Sequence, residues 1–379
     1  MNRRAFLNLA TGVASGWLVR PTSQAAATEG WEPHARELEM EIPGLMRSTN
    51  VPGLSIAAFR QGTIIWQRGF GVKDRDSGAP VDSSTLFEAA SMSKPLFAYA
   101  VLKQCEKGTL DLDTPLTRYT RHRLLDGDPR LDRITTRHIL SHSSGLVPDW
   151  RSPDDPLRIA FSPGEKWSYS GEGYYYLQSV VTDLLGHTDP THCETFEAGL
   201  KVCATDFGEW MESRLVTPLN LGSGGYVWRR RLASRYARPH DAEGKPKPYR
   251  TDNPAGLARY GAAGGFITTP SDYARFLMEL IDPKPQDEYH LSAASLKLMT
   301  TPQIEVARIG GSTISWGLGL RIAHTSERTF FGHDGSNPGF QCMSEACAAD
   351  RSGFVVMTNS DNPKLYEKLA PELSKRIHS

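Results

Sequence analysis

A serine and a lysine one helical turn apart, Ser91-Met92-Ser93-Lys94, are the first residues in this chain that could do chemistry together. Residues three apart on a helix share a face, so the Lys94 amine reaches the Ser91 hydroxyl. A lysine that is neutral, or that shares a proton, activates a serine, which alone is a weak nucleophile. Pro95 sharpens the placement. It lacks the N–H that would bond the Ser91 carbonyl, and a helix tolerates that loss only in its first turn. Ser91 is therefore expected at a helix N-terminus, where free N–H groups and the helix dipole favour a developing oxyanion. About one S-x-x-K arises by chance in a chain of this composition, so the motif needs company.

Three further segments supply it. Phe161-Ser-Pro-Gly-Glu-Lys-Trp-Ser-Tyr169-Ser170 is a turn followed by a tyrosine, ahead of an aromatic helix start at Tyr174–Leu177. A phenol close to a lysine is expected to have a lowered pKa and to shuttle protons. Phe331-Gly-His333-Asp-Gly335-Ser336-Asn-Pro-Gly339 is a glycine-rich strand segment that carries a histidine. Ile134-Thr-Thr-Arg-His138-Ile-Leu-Ser-His142-Ser-Ser-Gly145 reads as a helix that closes at glycine.

The elements that must hold these residues are legible at low resolution. A polar helix is expected from about Glu32 to Thr49. Strands Val51–Arg60 and Thr63–Val72 are joined by the turn residues Gln61-Gly62. The apolar segment Met92–Cys105 reads as a buried helix that ends at Lys107-Gly108. From about Asp111 to Pro254 the pattern is helix and loop, with a presumed insertion at His187–Thr205 and a basic, proline-broken loop at Arg229–Thr251. A helix at Ser271–Ile281 precedes strands at Ser315–Ile322, Arg328–Phe331, Gly339–Ala346 and Gly353–Asn359, and a last helix starts near Pro363. Strands at both ends of the chain with helices between them imply one sheet completed by the two termini.

In order and wording, FEAASMSK, ITTRHILSHSSGL, FSPGEKWSYS, AAGGFITTPSDYARF and FGHDGSNPGF resemble the serine β-lactamase-like hydrolases over roughly residues 35–365. That group holds class C β-lactamases, D-alanyl-D-alanine carboxypeptidases, D-aminopeptidases and carboxylesterases of the β-lactamase type. The resemblance implies an α+β fold of the β-lactamase/transpeptidase kind, with a mainly antiparallel sheet flanked by terminal helices, a helical domain, and the active site between them. The corresponding division is 28–88 with 262–379 for the sheet domain and 89–261 for the helical domain. It also implies roles. Ser91 matches the acylated serine, Lys94 its lysine, and Tyr169 the tyrosine of the Y-x-N motif. His333-Asp334-Gly335 matches the third motif, with the N–H groups of Ser91 and Ser336 as the oxyanion hole. On a strand His333 and Gly335 face the cleft and Asp334 points away.

One departure bears on substrate. Where the family has the Asn of Y-x-N, this chain has Gly171. In the family that amide holds the amide of a β-lactam or peptide, so its loss penalises amides more than esters. Histidine in place of the third-motif lysine removes a fixed positive charge. The expectation is an exported serine hydrolase working through an acyl-enzyme, a carboxylesterase in preference, with no metal and no organic cofactor. The alternatives are a D-alanyl-D-alanine carboxypeptidase, D-aminopeptidase or β-lactamase, and a non-catalytic cell-wall-binding relative, which the presence of Ser91, Lys94 and Tyr169 disfavours.

Composition narrows the field. The chain has 379 residues, and its 43 Lys+Arg balance 43 Asp+Glu, which leaves no basic footprint for nucleic acid. The expected partner is a small ester or peptidic substrate, and nothing in the sequence speaks to oligomeric state. There is no G-x-S-x-G for an α/β-hydrolase and no G-x-G-x-x-G for a dinucleotide fold. His138 and His142 lack the glutamate of a zinc hydrolase and read as a structural helix end. Five cysteines are present. Cys193 and Cys203 are placed to close a short loop, Cys342 and Cys347 cannot pair within one strand, and Cys105 is expected buried and inert.

Residues 1–27 open with Arg3-Arg4, continue with a short diluted apolar stretch and end at Ala25-Ala26-Ala27. That is the pattern of a twin-arginine export signal, and it is too short to span a bilayer. A soluble periplasmic or secreted mature protein with its N-terminus near Thr28 is expected. Replacing Arg3 and Arg4 together by lysine should leave unprocessed precursor in the cytoplasm, read by immunoblot of cell fractions; normal export of that double variant would point to a different signal.

Overall fold

In a computed structural model the chain is described for residue 28 and for 30–150, 152–186, 195–197, 200–202, 204–249 and 260–378. Residues 1–27, expected to be an export signal, Cys193, Cys203 and most of the stretch 187–205 expected to be an insertion therefore lie outside the described residues. Within it, 195–197 and 200–202 pair as a small hairpin.

Among the described residues, nine strands form one antiparallel sheet. They are β1 (Gly53–Arg60), β2 (Thr63–Asp74), β3 (Ala79–Pro80), β4 (Ile304–Ile309), β5 (Ser312–Trp316), β6 (Arg321–His324), β7 (Thr329–Asn337), β8 (Phe340–Cys347) and β9 (Ser352–Thr358), in the order β4-β5-β6-β7-β8-β9-β1-β2-β3. The ends of the chain meet at its centre, where Ile56 of β1 lies opposite Val356 of β9. One expected strand, Ser315–Ile322, is in fact two. Gly317-Leu318-Gly319-Leu320 turns the chain, and the Gly317 N–H bonds the Leu320 carbonyl at 2.8 Å. Strand β4 and the helix Ala293–Met299 went unread, because both are short and weakly patterned.

Alternation along the central strands feeds two separate cores. Leu54, Ile56 and Ala58 of β1, with Phe354 and Val356 of β9, pack on the outer face beneath helix α1 (Trp31–Thr49) and the C-terminal helix α7 (Lys364–Ile377). Both helices are amphipathic by spacing. Leu38, Ile42 and Met46 line one, and Leu365, Leu369, Leu373 and Ile377 line the other, at four-residue intervals. The opposite face, with Ala57, Phe59, Val355 and Met357, packs on the helical side of the molecule in a larger core. That core contains α2 (Ser93–Glu106), α4 (Gly171–Leu184) and α6 (Pro270–Ile281), with the short α3 (Thr136–Leu140) and α5 (Ala204–Met211) beside them. Every residue of α2 from Ser93 to Gln104 is buried.

The remaining expectations resolve locally. Cys342 and Cys347 sit unpaired on β8 as strand alternation requires, whereas Cys105 is only partly buried, its thiol pushed up to about 12 by desolvation. At the start of the basic loop, Arg229 turns inward to Glu212 at 2.6 Å while Arg230 and Arg231 stay exposed. None of the helices is long and apolar enough to cross a membrane, among the described residues.

Because Leu373 belongs to the outer core and is not among the residues that line the cleft, that core can be weakened there alone. Leu373→Ala, at a fully buried position, should cost about 2–5 kcal/mol in urea unfolding, while Ser91 reactivity per folded molecule stays unchanged.

Candidate active site

Ser91 sits in a 3₁₀ turn, Ala90–Met92, that runs directly into α2. Pro95 is in the first turn of that helix, where the sequence requires it. Ala90 holds the left-handed conformation at φ 46°, which costs a residue with a Cβ of order 1–3 kcal/mol. Strand β7 holds the turn in place. A Cβ at Gly335 would lie 2.6 Å from the Ala89 carbonyl and 3.1 Å from the Ala90 side chain, so only glycine lets the strand lie this close to the nucleophile. The loop after Tyr260 closes the other side. The Phe266 N–H bonds the Ser93 hydroxyl at 3.0 Å, and Lys94 Nζ donates to the Ala263 carbonyl at 2.9 Å. That gives the AAGGF motif a task the sequence alone did not assign.

Lys94 is fully buried, and its Nζ lies 3.0 Å from Ser91 Oγ. Desolvation pulls its pKa down to about 7, with Asp149 opposing the shift. A neutral amine donates to Ala263 and keeps its lone pair for the Ser91 proton. Tyr169 lies beside the pair, its ring centroid 4.9 Å from the Lys94 nitrogen. Its pKa is not lowered, contrary to the expectation from sequence. Burial raises it above the usual phenol value and outweighs the lowering effect of the nearby Ser91 hydroxyl. The lysine is the deprotonated partner of the pair.

His142 emerges as the support of Tyr169. Its imidazole stacks on the phenol at 4.1 Å with 29° between planes. Its carbonyl accepts from the Ser168 N–H at 2.7 Å, and its Nδ1 accepts from the Ser170 N–H at 3.1 Å. The residues on both sides of the tyrosine are thereby tied to one histidine, itself left-handed at φ 54°. His138 does something else, capping its own short helix at Thr135. The described residues contain no cluster of His, Cys, Asp or Glu that could hold a metal.

On β7, His333 and Gly335 are buried, and Asp334 and Ser336 lie on the exposed face. Desolvation and the nearby Lys94 push the His333 pKa down to about 3, so the ring is neutral. Its Nδ1 lies 2.5 Å from the Asp334 carbonyl and can only donate there, which leaves Nε2 as an acceptor. Asp334 alternates away from His333 as expected, yet still lines the cleft, with its carboxylate 3.9 Å from Arg321. Ser336 lies opposite Gln341, next to the two-residue turn Pro338-Gly339.

These groups surround a cleft of about 390 Å³. It brings together Ser91, Tyr169, His333, Gly335 and Ser336, with Lys94 beneath them. Sequence reading missed Asp149, Trp150, Trp316, Arg321 and Gln341, which also line it. Trp150 accounts for the glycine at 171. A Cβ there would fall 2.3 Å from the indole Cζ2, so asparagine and this tryptophan position exclude one another. An asparagine introduced at 171 would meet the indole before it could reach a substrate amide.

Comparison with known proteins agrees with this architecture. A family model described as Beta-lactamase matches residues 38–376. Esterase EstB of Burkholderia gladioli is 28% identical over 246 residues, 57% of this chain and 57% of the esterase, so the match spans little more than half of that relative. Penicillin-binding protein 4* of Bacillus subtilis (strain 168) is 25% identical over 85% of this chain and 71% of its own length. Among solved structures, the octameric penicillin-binding protein homologue from Pyrococcus abyssi superposes with a TM-score of 0.71 at 22% identity, covering 90% of this chain and 79% of that one. A β-lactamase/D-alanine carboxypeptidase from Pseudomonas syringae gives 0.70 at 20% identity, over 90% and 98%. With the family model spanning nearly the whole described chain, and the fold shared with these structures, this protein belongs to the β-lactamase family of serine hydrolases.

Proposed function

We propose that the protein is an exported hydrolase that cleaves carboxylic esters through an acyl-enzyme on Ser91. The observation that carries the mechanism is the buried Lys94 amine 3.0 Å from the Ser91 hydroxyl. Neutral Lys94 takes the Ser91 proton as Oγ attacks the ester carbonyl. The N–H groups of Ser91 and Ser336 serve as donors to the resulting oxyanion. Tyr169, kept protonated by burial, gives its proton to the departing alkoxide and takes one back from the Lys94 ammonium beside its ring. Water then attacks the acyl-enzyme with the same lysine and tyrosine acting in reverse, which releases the acid and restores Ser91. No step draws on a metal or cofactor.

The preference for esters rests on what the acyl side of the cleft lacks. No side chain at 171 is present to hold a substrate amide, and the neutral His333 provides no fixed charge. The similarity to an esterase points the same way. One observation favours a second reading, a D-alanyl peptide substrate. Arg321 puts a guanidinium on the cleft wall within reach of a substrate carboxylate, with Asp334 at 3.9 Å as its competitor.

Two measurements follow. A fluorophosphonate should label Ser91 and no other serine, as mapped by mass spectrometry, and Ser91→Ala should lower turnover by several decades, down to what binding and oxyanion stabilisation leave, roughly 10³–10⁴ over water. Because acylation needs the free amine, kcat/KM should fall tenfold per pH unit below about 7 and level off above it. Substrate class is read from kcat/KM for a short-chain ester against a matched amide on the unmutated protein. An ester advantage beyond the intrinsic reactivity difference is expected, and a ratio at or below one after that correction would transfer the assignment to the peptidase.

A further inference from the structure

Gly171 has an ordinary backbone conformation, so no turn demands a glycine there. The requirement is contact. The Trp150 indole lies flat on the Gly171 backbone, and a Cβ would meet three of its ring atoms, Cζ2, Cη2 and Cε2, at 2.3–2.6 Å. The tryptophan is well held. The Asp149 carboxylate accepts from the Gly171 N–H, and the Asp149 carbonyl accepts from the Glu172 N–H at 2.9 Å, which pins the loop to the start of α4. The ring of Tyr260 meets the indole edge to face at 4.9 Å, with Tyr175 behind it at 5.0 Å. Trp150 nonetheless remains 44% exposed, and the exposed part lines the cleft beside Ser91. A large, ordered indole surface left open inside a polar cleft is an unfilled apolar contact.

We infer that Trp150 is a specificity-determining residue whose indole packs on the acyl group of the substrate and selects flat, apolar acyl chains. This rests on the ester reading of the same site. The position relative to the reacting atoms assigns the acyl side. Tyr169 must face the leaving oxygen, and its ring is flanked by Trp316 and His333 at 5.8 and 6.1 Å, so the leaving group departs along that wall. The wall formed by Asp149 and Trp150 is left for the acyl part. A π surface offers area and no directed hydrogen bond, so it favours an aryl-bearing acyl chain over a small or strongly hydrated one.

The test keeps the alcohol constant and varies the acyl group, comparing p-nitrophenyl acetate with p-nitrophenyl phenylacetate. Trp150→Ala should lower kcat/KM about tenfold or more for phenylacetate and less than threefold for acetate, and Trp150→Phe should keep most of the preference. An equal loss on both esters, or selectivity that follows the alcohol when that is varied instead, would overturn the inference. If the unmutated protein cleaves no ester, the ester reading fails, and the same two acyl groups carried on a D-alanyl amide read the Trp150 effect independently. A stability cycle checks the contact itself. Gly171→Ala should lower Tm in the native background and leave it nearly unchanged in Trp150→Ala; equal losses in both backgrounds would mean that the indole does not occupy the space above Gly171.

Discussion

Among the described residues, an ammonium at Lys94 would be buried with a neutral carbonyl and a hydroxyl as its hydrogen-bond partners, and with Asp149 as the opposing charge. Desolvation therefore wins, and the amine is half deprotonated near pH 7. The rest of the cleft is arranged around that outcome. The strained Ala90 and the close approach at Gly335 hold Ser91 against the amine. His142 ties down the backbone on both sides of Tyr169, and burial keeps the phenol protonated, so that one group is ready to accept a proton while its neighbour is ready to give one. The same burial costs stability. The folded-state pKa of Lys94 lies below the ordinary 10.5, so unfolding takes up a proton between about pH 7 and 10.5, and this residue's contribution to stability improves as pH rises across that window.

The large fold serves this arrangement by fixing two surfaces relative to each other. Strand β7 belongs to the sheet and α2 to the core on its inner face, and the close contact between Gly335 and Ala90 is where they meet at the nucleophile. The terminal helices staple the outer face, and α7 reaches the cleft wall at Tyr366, whose hydroxyl donates to the carbonyl of Gln341. Stability supplied at that remote face can offset the strain and desolvation concentrated at the site.

Much of this was legible in the sequence where local physics dominates. Pro95 placed Ser91 at a helix start, period-two alternation separated His333 and Gly335 from Asp334, and Gln61-Gly62 located the first hairpin. What escaped depends on loops distant in sequence. Nothing in the wording of Asp149-Trp150 says that the indole will cover Gly171, so the missing asparagine could be read only as a loss and not as an occupied space. His142 looked like the end of a helix, because its role appears only once the Ser168–Ser170 backbone lies against it. The pKa of Tyr169 was expected in the wrong direction because proximity to lysine is visible in a motif, whereas burial, the larger effect here, is not.

The central claim is that Lys94 is the base because it is neutral at working pH. Labelling the protein with [ε-¹³C]lysine and following the resonances through pH by NMR, with Lys94→Met to assign the signal, measures that ionisation directly. The account predicts one lysine resonance titrating near pH 7 that is absent from the Lys94→Met spectrum. A Lys94 resonance that stays in its charged position up to pH 10 would contradict it.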